Sequence, residues 1–142
     1  MLVRLIYASR SIGPVTEPVI QSILEQSRAN NRESGVTGVL CVCHGDTFIQ
    51  VLEGGRVEVN QLYAKVLGDG RHTDVILLDY EEIAERRFAG WRMGRADLDK
   101  VNAGVILKYS EKPRLDPFAI SGRVALHLLE ELINSASIVG GT

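Results

Sequence analysis

Residues 48–52, Phe-Ile-Gln-Val-Leu, are apolar at every position but one. An extended chain sends successive side chains to opposite faces, so a strand of this kind must be covered on both sides. That rules out a sheet with one wet face. The exception is Gln50, which shares a face with Phe48 and Leu52. A buried primary amide has two N–H donors and a carbonyl acceptor to satisfy, and leaving them unpaired costs about 1–3 kcal/mol. Either neighbouring side chains or a polar ligand must meet it.

The helix upstream bears on that choice. Thr16 stands as its N-cap, followed by Glu17 and Pro18, both suited to a first turn. The apolar stripe Ile20, Ile23, Leu24 continues at the same spacing as Ser27 and Asn31, with Asn30 alongside. Gly35 marks the end. A face that is oily at one end and hydrogen-bonding at the other suits a flat heterocycle with polar edges. Two asparagines are also what a loosened helix end carries, and the helix alone leaves both readings open.

Around these elements the chain reads as a first strand over Leu2–Tyr7, interrupted by Arg4, then a loop and the first helix. Two strands, Val36–Cys43 and Thr47–Leu52, flank the tight hairpin signal His44-Gly45-Asp46. A second helix turns Val59, Leu62, Tyr63, Val66 and Leu67 inward and stops at Gly68-Asp69-Gly70. A fourth strand spans Val75–Tyr80, a charged loop follows, and Trp91-Arg92-Met93 reads as a short fifth strand. The order β-α-β-β-α-β predicts an α+β, ferredoxin-like split βαβ sheet of about five strands with two helices on one face. Residues 101–109 read as helix or strand. A last helix, starting at Ser121 or Gly122, presents Ala125, Leu128, Leu129, Leu132 and Ile133 and is the expected cover for the other face.

The 142 residues, 45% hydrophobic and 24% charged, are ordinary globular material for one domain-sized chain. A net charge of −2 with scattered basic residues excludes the stripe of a nucleic-acid binder. No apolar run approaches the roughly 20 residues of a membrane span, and the start lacks the pattern of a secretion signal. A cytoplasmic protein is expected, with neither membrane nor nucleic acid as partner. Cys41 and Cys43 stand two apart in a strand and point to one face, poorly placed to bond each other. With His44 they suggest a metal set, but no second cysteine pair exists. Two small buried thiols and no metal are the expectation.

Taken in order, Leu-Ile-Tyr ending at Tyr7, Asn30-Asn31 followed by Gly-Val-Thr-Gly-Val-Leu, Phe-Ile-Gln-Val-Leu-Glu-Gly around Gln50, Asp69-Gly70-Arg71-His72, and Glu-Arg-Arg-Phe-x-x-Trp91-x-Met93-Gly resemble the BLUF family of flavin-based blue-light sensors over residues 2–94. Each motif is weak alone. Together, at these spacings, they are specific. Leu107-Lys108-Tyr109-Ser110 is similar to the short, stand-alone members that carry no enzyme domain. The resemblance divides the chain into a flavin-binding part, 1–95, and a C-terminal helical extension, 96–142, for signal output. Arg92, where the family often has a small polar residue, departs from the pattern and is expected to touch partners rather than the photochemistry.

The resemblance implies a flavin, FAD or else FMN, between the two helices. Asn31 would bond the polar edge of the ring, with Asn30 and Ser27 nearby, and Ile23 and Val66 would sandwich it. Asp69, Arg71 and His72 would lie near the ribityl and phosphate groups, a role to which the planar guanidinium of Arg71 is suited. Tyr7 is expected to give an electron and a proton toward the flavin by way of Gln50. The Gln50 amide then rearranges, by rotation or tautomerisation, and reverses the sense of one hydrogen bond. Trp91 and Met93 are both candidates for the place beside Gln50 and for relaying the signal. No catalytic residue is expected. The output would be a downstream signalling protein or a change in self-association as a homo-oligomer. The rivals are a ferredoxin-like interaction adaptor without pigment and a flavin enzyme.

Overall fold

The hairpin that turns at His44 supplies two of the three inner strands of the sheet in this molecule, whose computed structural model describes all of residues 1–142. Strands β2 (Thr37–Cys43) and β3 (Thr47–Gly55) pair antiparallel. In the three-residue connection between them, His44 and Gly45 take φ of 59° and 71°, the left-handed geometry that tight hairpin turns favour. Strand β1 (Leu2–Ser11) lies against the other edge of β3, and β4 (His72–Ile83) against β1, both antiparallel. Strand β5 (Gly94–Asp97) runs parallel to β2, so the sheet order is β4-β1-β3-β2-β5. Helix α1 (Glu17–Ser34) links β1 to β2, and α2 (Arg56–Leu67) links β3 to β4. This is the expected α+β, ferredoxin-like arrangement with an added edge strand.

Both faces are dry. On one, Ile20, Ile23 and Leu24 of α1 and Val59 of α2 pack on Val3, Leu5, Tyr7, Leu40, Phe48, Leu52 and Met93. On the other, α3 (Ala103–Leu107) and α4 (Gly122–Asn134), with the segment between them, cover Ile6, Val39, Cys41, Ile49 and Val51 through Ile106, Leu115, Ala125, Leu128, Leu129 and Leu132. Each such side chain taken from water contributes about 1.5–3 kcal/mol, which is why a two-faced strand pattern demanded both layers. Gly35 caps α1 at φ 74° with its N–H on the Asn31 carbonyl. Gly38 is required by contact: a Cβ there would lie 1.9 Å from the Val51 carbonyl oxygen.

Three local expectations change, and one open reading is decided. Strand β4 runs from 72 to 83 rather than 75 to 80, because β1 itself extends to Ser11 and carries the pairing past polar residues. Residues 101–109 resolve as a short helix capped by Asn102. Leu67, expected inward, is exposed, because α2 ends there. Trp91-Arg92-Met93 is not a strand. It forms the bend ahead of β5, which starts at Gly94, where a Cβ would sit 2.6 Å from Ile138 and 2.9 Å from the Trp91 ring. The ladder with β2 starts at Gly94, so Trp91 and Met93 lie outside it and do not share a strand face. Met93 is buried with α1, whereas Trp91 packs against the C-terminal layer.

Candidate functional site

Tyr7 and Gln50 stand directly opposite each other in the β1–β3 register, and Leu40 of β2 stands opposite Gln50 on the other side. All three side chains point toward α1 and α2. The Tyr7 hydroxyl donates to Gln50 Oε1, and Gln50 Nε2 lies 3.2 Å from the Met93 sulfur. A phenol, a carboxamide and a thioether thus form one buried chain across three segments of sequence. Burial, with lesser contributions from Tyr63 and Asp69, raises the Tyr7 pKa far above its ordinary value, so this phenol keeps its proton. The Tyr63 ring lies 5.6 Å from that of Tyr7, tilted by 48°.

Above this chain is a cavity of about 90 Å³, lined from α1 by Ile23, Gln26, Ser27 and Asn30, from α2 by Leu62, Lys65 and Val66, and by Asp69, Arg71 and His72 beyond it. It continues past Asn30, Leu62 and Lys65 into an open groove of about 550 Å³ between the two helices, which Asn31 also lines. The spacing of α1 explains its wall: Ser27 comes four residues after Ile23, and Asn30 and Asn31 come three and four residues after Ser27. Asn31 is buried. Its Nδ2 donates to the Arg92 carbonyl at 2.5 Å, and its Oδ1 has no partner. It is the one buried side-chain polar atom in the protein left so, an outcome that buried polar groups rarely show.

At the far end the Asp69 carboxylate receives Arg71 Nε at 3.1 Å and Nη2 at 2.7 Å, and Arg71 Nη2 also reaches Gln26 Oε1 at 3.1 Å. The Arg71 hydrogen bonds hold the Asp69 pKa below its ordinary value. His72 Nδ1 lies 3.0 Å from Ser9 Oγ, and burial pulls its pKa down.

The structure therefore gathers Tyr7, Ile23, Ser27, Asn30, Gln50, Val66, Asp69, Arg71 and His72 around one cavity, with Asn31 in the adjoining groove. Met93 joins through Gln50. Trp91 does not: it lies on the opposite side of the sheet. Sequence reasoning passed over Leu40, Gln26, Leu62 and Lys65 as wall residues. Leu40 was readable from hairpin pairing, since counting back across the turn sets it opposite Gln50. Lys65 carried no signal beyond an exposed helix position. Cys41 and Cys43 lie in the other core layer, where burial raises both thiols, that of Cys43 to about 12.

A family model described as BLUF, sensors of blue-light using FAD, matches residues 2–94. The chain belongs to the BLUF family. A photoactivated adenylate cyclase subunit beta from Euglena gracilis is 33% identical over 108 residues, which are 74% of this chain and 12% of that relative. This chain thus spans a small part of the curated relatives it matches. Two solved structures match over nearly their whole length. BlsA in its photo-activated state is 29% identical at a TM-score of 0.81, covering 100% of this chain and 99% of that one. The BLUF protein BlrB in its dark state is 29% identical at 0.76, covering 95% and 96%. FAD is the cofactor by which the BLUF family is described. No helix here is long and apolar enough to cross a membrane.

Proposed function

We propose that this chain is a blue-light sensor that holds FAD, or FMN in its place, noncovalently between α1 and α2, and that its signal begins as a rearrangement of the Gln50 amide. The observation that carries this reading is the buried Tyr7–Gln50–Met93 chain beneath a cavity walled by both helices. The donor set fits a flavin. The orphan Asn31 Oδ1 is a buried acceptor, and a flavin ring edge offers an imide N–H between two carbonyls. Ile23 and Val66 supply apolar wall from opposite helices. Arg71, Lys65 and His72 supply cationic and hydrogen-bonding groups at the end where ribityl and phosphate oxygens would lie, although Arg71 must share its guanidinium with Asp69.

Bound flavin supplies blue-light absorption and, when excited, a strong oxidant. Tyr7 is the group oxidised: its proton moves along the existing hydrogen bond to Gln50 Oε1 and returns when the electron does. Gln50 responds because the two ends of an amide are nearly the same shape and opposite in hydrogen-bonding sense. Turned over, it presents an N–H donor where Tyr7 now meets an acceptor and loses its N–H contact to the Met93 sulfur; tautomerised, it presents an O–H donor there and keeps a single N–H. Met93 is the first relay. Its carbonyl is held by Arg28 Nε at 3.0 Å, and the neighbouring Arg92 N–H donates to Gly141 O in the C-terminal tail. Trp91, two residues earlier, rests on the C-terminal layer, so the bend 91–93 joins the two faces of the sheet. Residues 1–95 act as the sensing part and residues 96–142 as the output part, toward a partner protein or a second copy of this chain.

A flavin enzyme is the weaker reading, since both thiols face away from the cavity with raised pKa values. The test is an absorption spectrum of the purified protein before and after blue illumination. Flavin bands that shift slightly to the red and recover in the dark are expected. Tyr7→Phe keeps the flavin and loses the shift. A colourless wild type leaves the pigment-free adaptor standing, and a full photocycle in Tyr7→Phe removes Tyr7 from the mechanism.

A further inference from the structure

On the face of the sheet away from the cavity, the tip of the β2–β3 hairpin meets the C-terminal extension at three metal-ligating side chains. Cys43, His44 and Asp99 each present a ligand atom, and these atoms lie within 4.8 Å of one another. A separate cavity of about 290 Å³ is lined by all three, together with Leu115 and Arg114. None of these residues takes part in the site described above.

The hydrogen bonds decide what the cluster lacks. His44 Nε2 lies 2.5 Å from the Leu115 carbonyl oxygen, which only accepts, so Nε2 carries a hydrogen. In a neutral imidazole Nδ1 is then a bare lone pair. It faces Asp99 Oδ1 at 3.2 Å, a second lone pair. Asp99 Oδ2 is meanwhile fixed by the backbone N–H of His44 at 2.9 Å. Two acceptors brought face to face need a cation between them, either a second ring proton or a metal ion. The orienting partners match those of metal sites, where a ligating histidine gives its other N–H to a backbone carbonyl and a ligating carboxylate is itself hydrogen-bonded. The spacing, 3.2 Å, is a little tighter than zinc would set. Tetrahedral zinc with bonds of about 2.0–2.1 Å to nitrogen and 2.0–2.2 Å to oxygen sets those two atoms about 3.3–3.5 Å apart. The Cys43 sulfur, 3.8 Å from the same Leu115 carbonyl, is placed to become the third ligand.

We infer that Cys43, His44 and Asp99 form a binding site for a borderline-soft divalent cation, Zn²⁺ foremost, with water from the adjoining cavity in the fourth position. As the zinc–sulfur bond forms, the thiol proton leaves to solvent. One thiolate and one carboxylate then offset the ion's two charges, against which the Arg114 guanidinium is a single opposing charge. The ion staples the hairpin tip, and with it β2 and β3, to the segment that begins the C-terminal extension. This inference does not depend on the photochemistry.

The test uses the full, flavin-loaded chain, stripped with a chelator, dialysed and titrated with ZnCl₂. Calorimetry is expected to show one equivalent bound, with a zinc-dependent rise in the thermal midpoint. Co²⁺ in place of zinc is expected to give tetrahedral bands in the red, beyond flavin absorption. His44→Asn, which keeps a residue tolerant of the left-handed turn, and Asp99→Asn, at an exposed position, are each expected to weaken binding by at least about tenfold. Cys43→Ser does the same if its core position accepts the change, and the two surface variants decide the matter alone if it does not. A silent titration with an unmoved midpoint overturns the site and leaves a proton as the bridging cation. Binding that persists undiminished in His44→Asn and Asp99→Asn overturns it too, by placing the ion elsewhere.

Discussion

The sheet carries a polar cross-strand pair on each face, and the two are completed differently. Both pairs are direct neighbours in the β1–β3 register: Arg4 opposite Glu53, and Tyr7 opposite Gln50. On the C-terminal face the fully buried Glu53 carboxylate takes Arg4 Nε at 2.9 Å and the backbone N–H groups of Arg87 and Phe88 at 3.0 and 2.6 Å, while Arg4 Nη1 reaches Glu81 at 2.7 Å. Every strong site on that carboxylate is used. On the helix face, Tyr7 and Gln50 satisfy each other in part, Gln50 leans on a sulfur, and Asn31 Oδ1 nearby has nothing. The difference follows from charge. A buried ion left unpaired costs several kcal/mol, so the fold must close around it. A neutral amide left short costs about 1–3 kcal/mol, which a folded chain tolerates until a ligand arrives. Completeness marks the structural pair, and deficiency marks the pair we propose meets the flavin.

The largest expected effect tests the closed pair. Glu53→Ala leaves Arg4 with Glu81 as its one remaining carboxylate and strands two backbone N–H groups in a dry layer, and is expected to cost about 3–5 kcal/mol in urea unfolding. Tyr7→Phe removes one hydroxyl on the other face and is expected to cost less than half of that. Equal losses from the two variants would erase the distinction between the faces.

The open pair is tested by ligand affinity rather than stability. Asn31→Ala deletes the orphan acceptor together with its one hydrogen bond to Arg92, so the flavin-free fold is expected to change by less than about 1 kcal/mol. Flavin affinity is expected to fall by about 1–3 kcal/mol, or roughly five- to 150-fold, measured by titrating flavin into the stripped protein. Unchanged affinity with lost stability would make Asn31 a purely structural clamp on Arg92.

This contrast also explains what the chain disclosed before folding. Gln50 was legible because it is one polar residue in an apolar strand, where alternation alone assigns its face. The α1 stripe was legible for the same reason at period 3.6. Glu53 was not, because Glu53-Gly54-Gly55 reads as the end of a hairpin and its partner lies 49 residues away, where Arg4 reads as an interruption of β1. The choice between Met93 and Trp91 was closed to sequence too. Strand β5 starts where Gly94 pairs with Val39 of β2, a tertiary pairing that no local periodicity encodes. The His44–Asp99 contact spans 55 residues, and of the companions of Cys43 visible in sequence, Cys41 and His44, the fold keeps His44 and adds Asp99.

The smallest expected effect joins the two halves of the comparison at His72, which closes the far end of the open face. Burial pulls its folded pKa below the ordinary 6.5, Asp69 opposes this, and Arg71 adds to it. The sign is therefore that of a histidine held neutral. Between its folded pKa and 6.5 the unfolded chain binds more protons than the native one, so stability rises with pH across that window and is lost as pH falls through it. The Asp69 carboxylate, lowered from 3.8, contributes stability that is lost only at more acidic pH, which keeps the two windows apart. In flavin-free protein, urea midpoints measured on either side of pH 6 are expected to show this slope, and His72→Gln to flatten it. Flavin loading is expected to reduce the slope in the wild type, because a phosphate near the imidazole favours its protonated form and raises the folded pKa toward the unfolded one. A slope that flavin leaves untouched would put the phosphate end of the ligand away from His72, and the deficiency on this face would then belong to Asn31 and Gln50 alone.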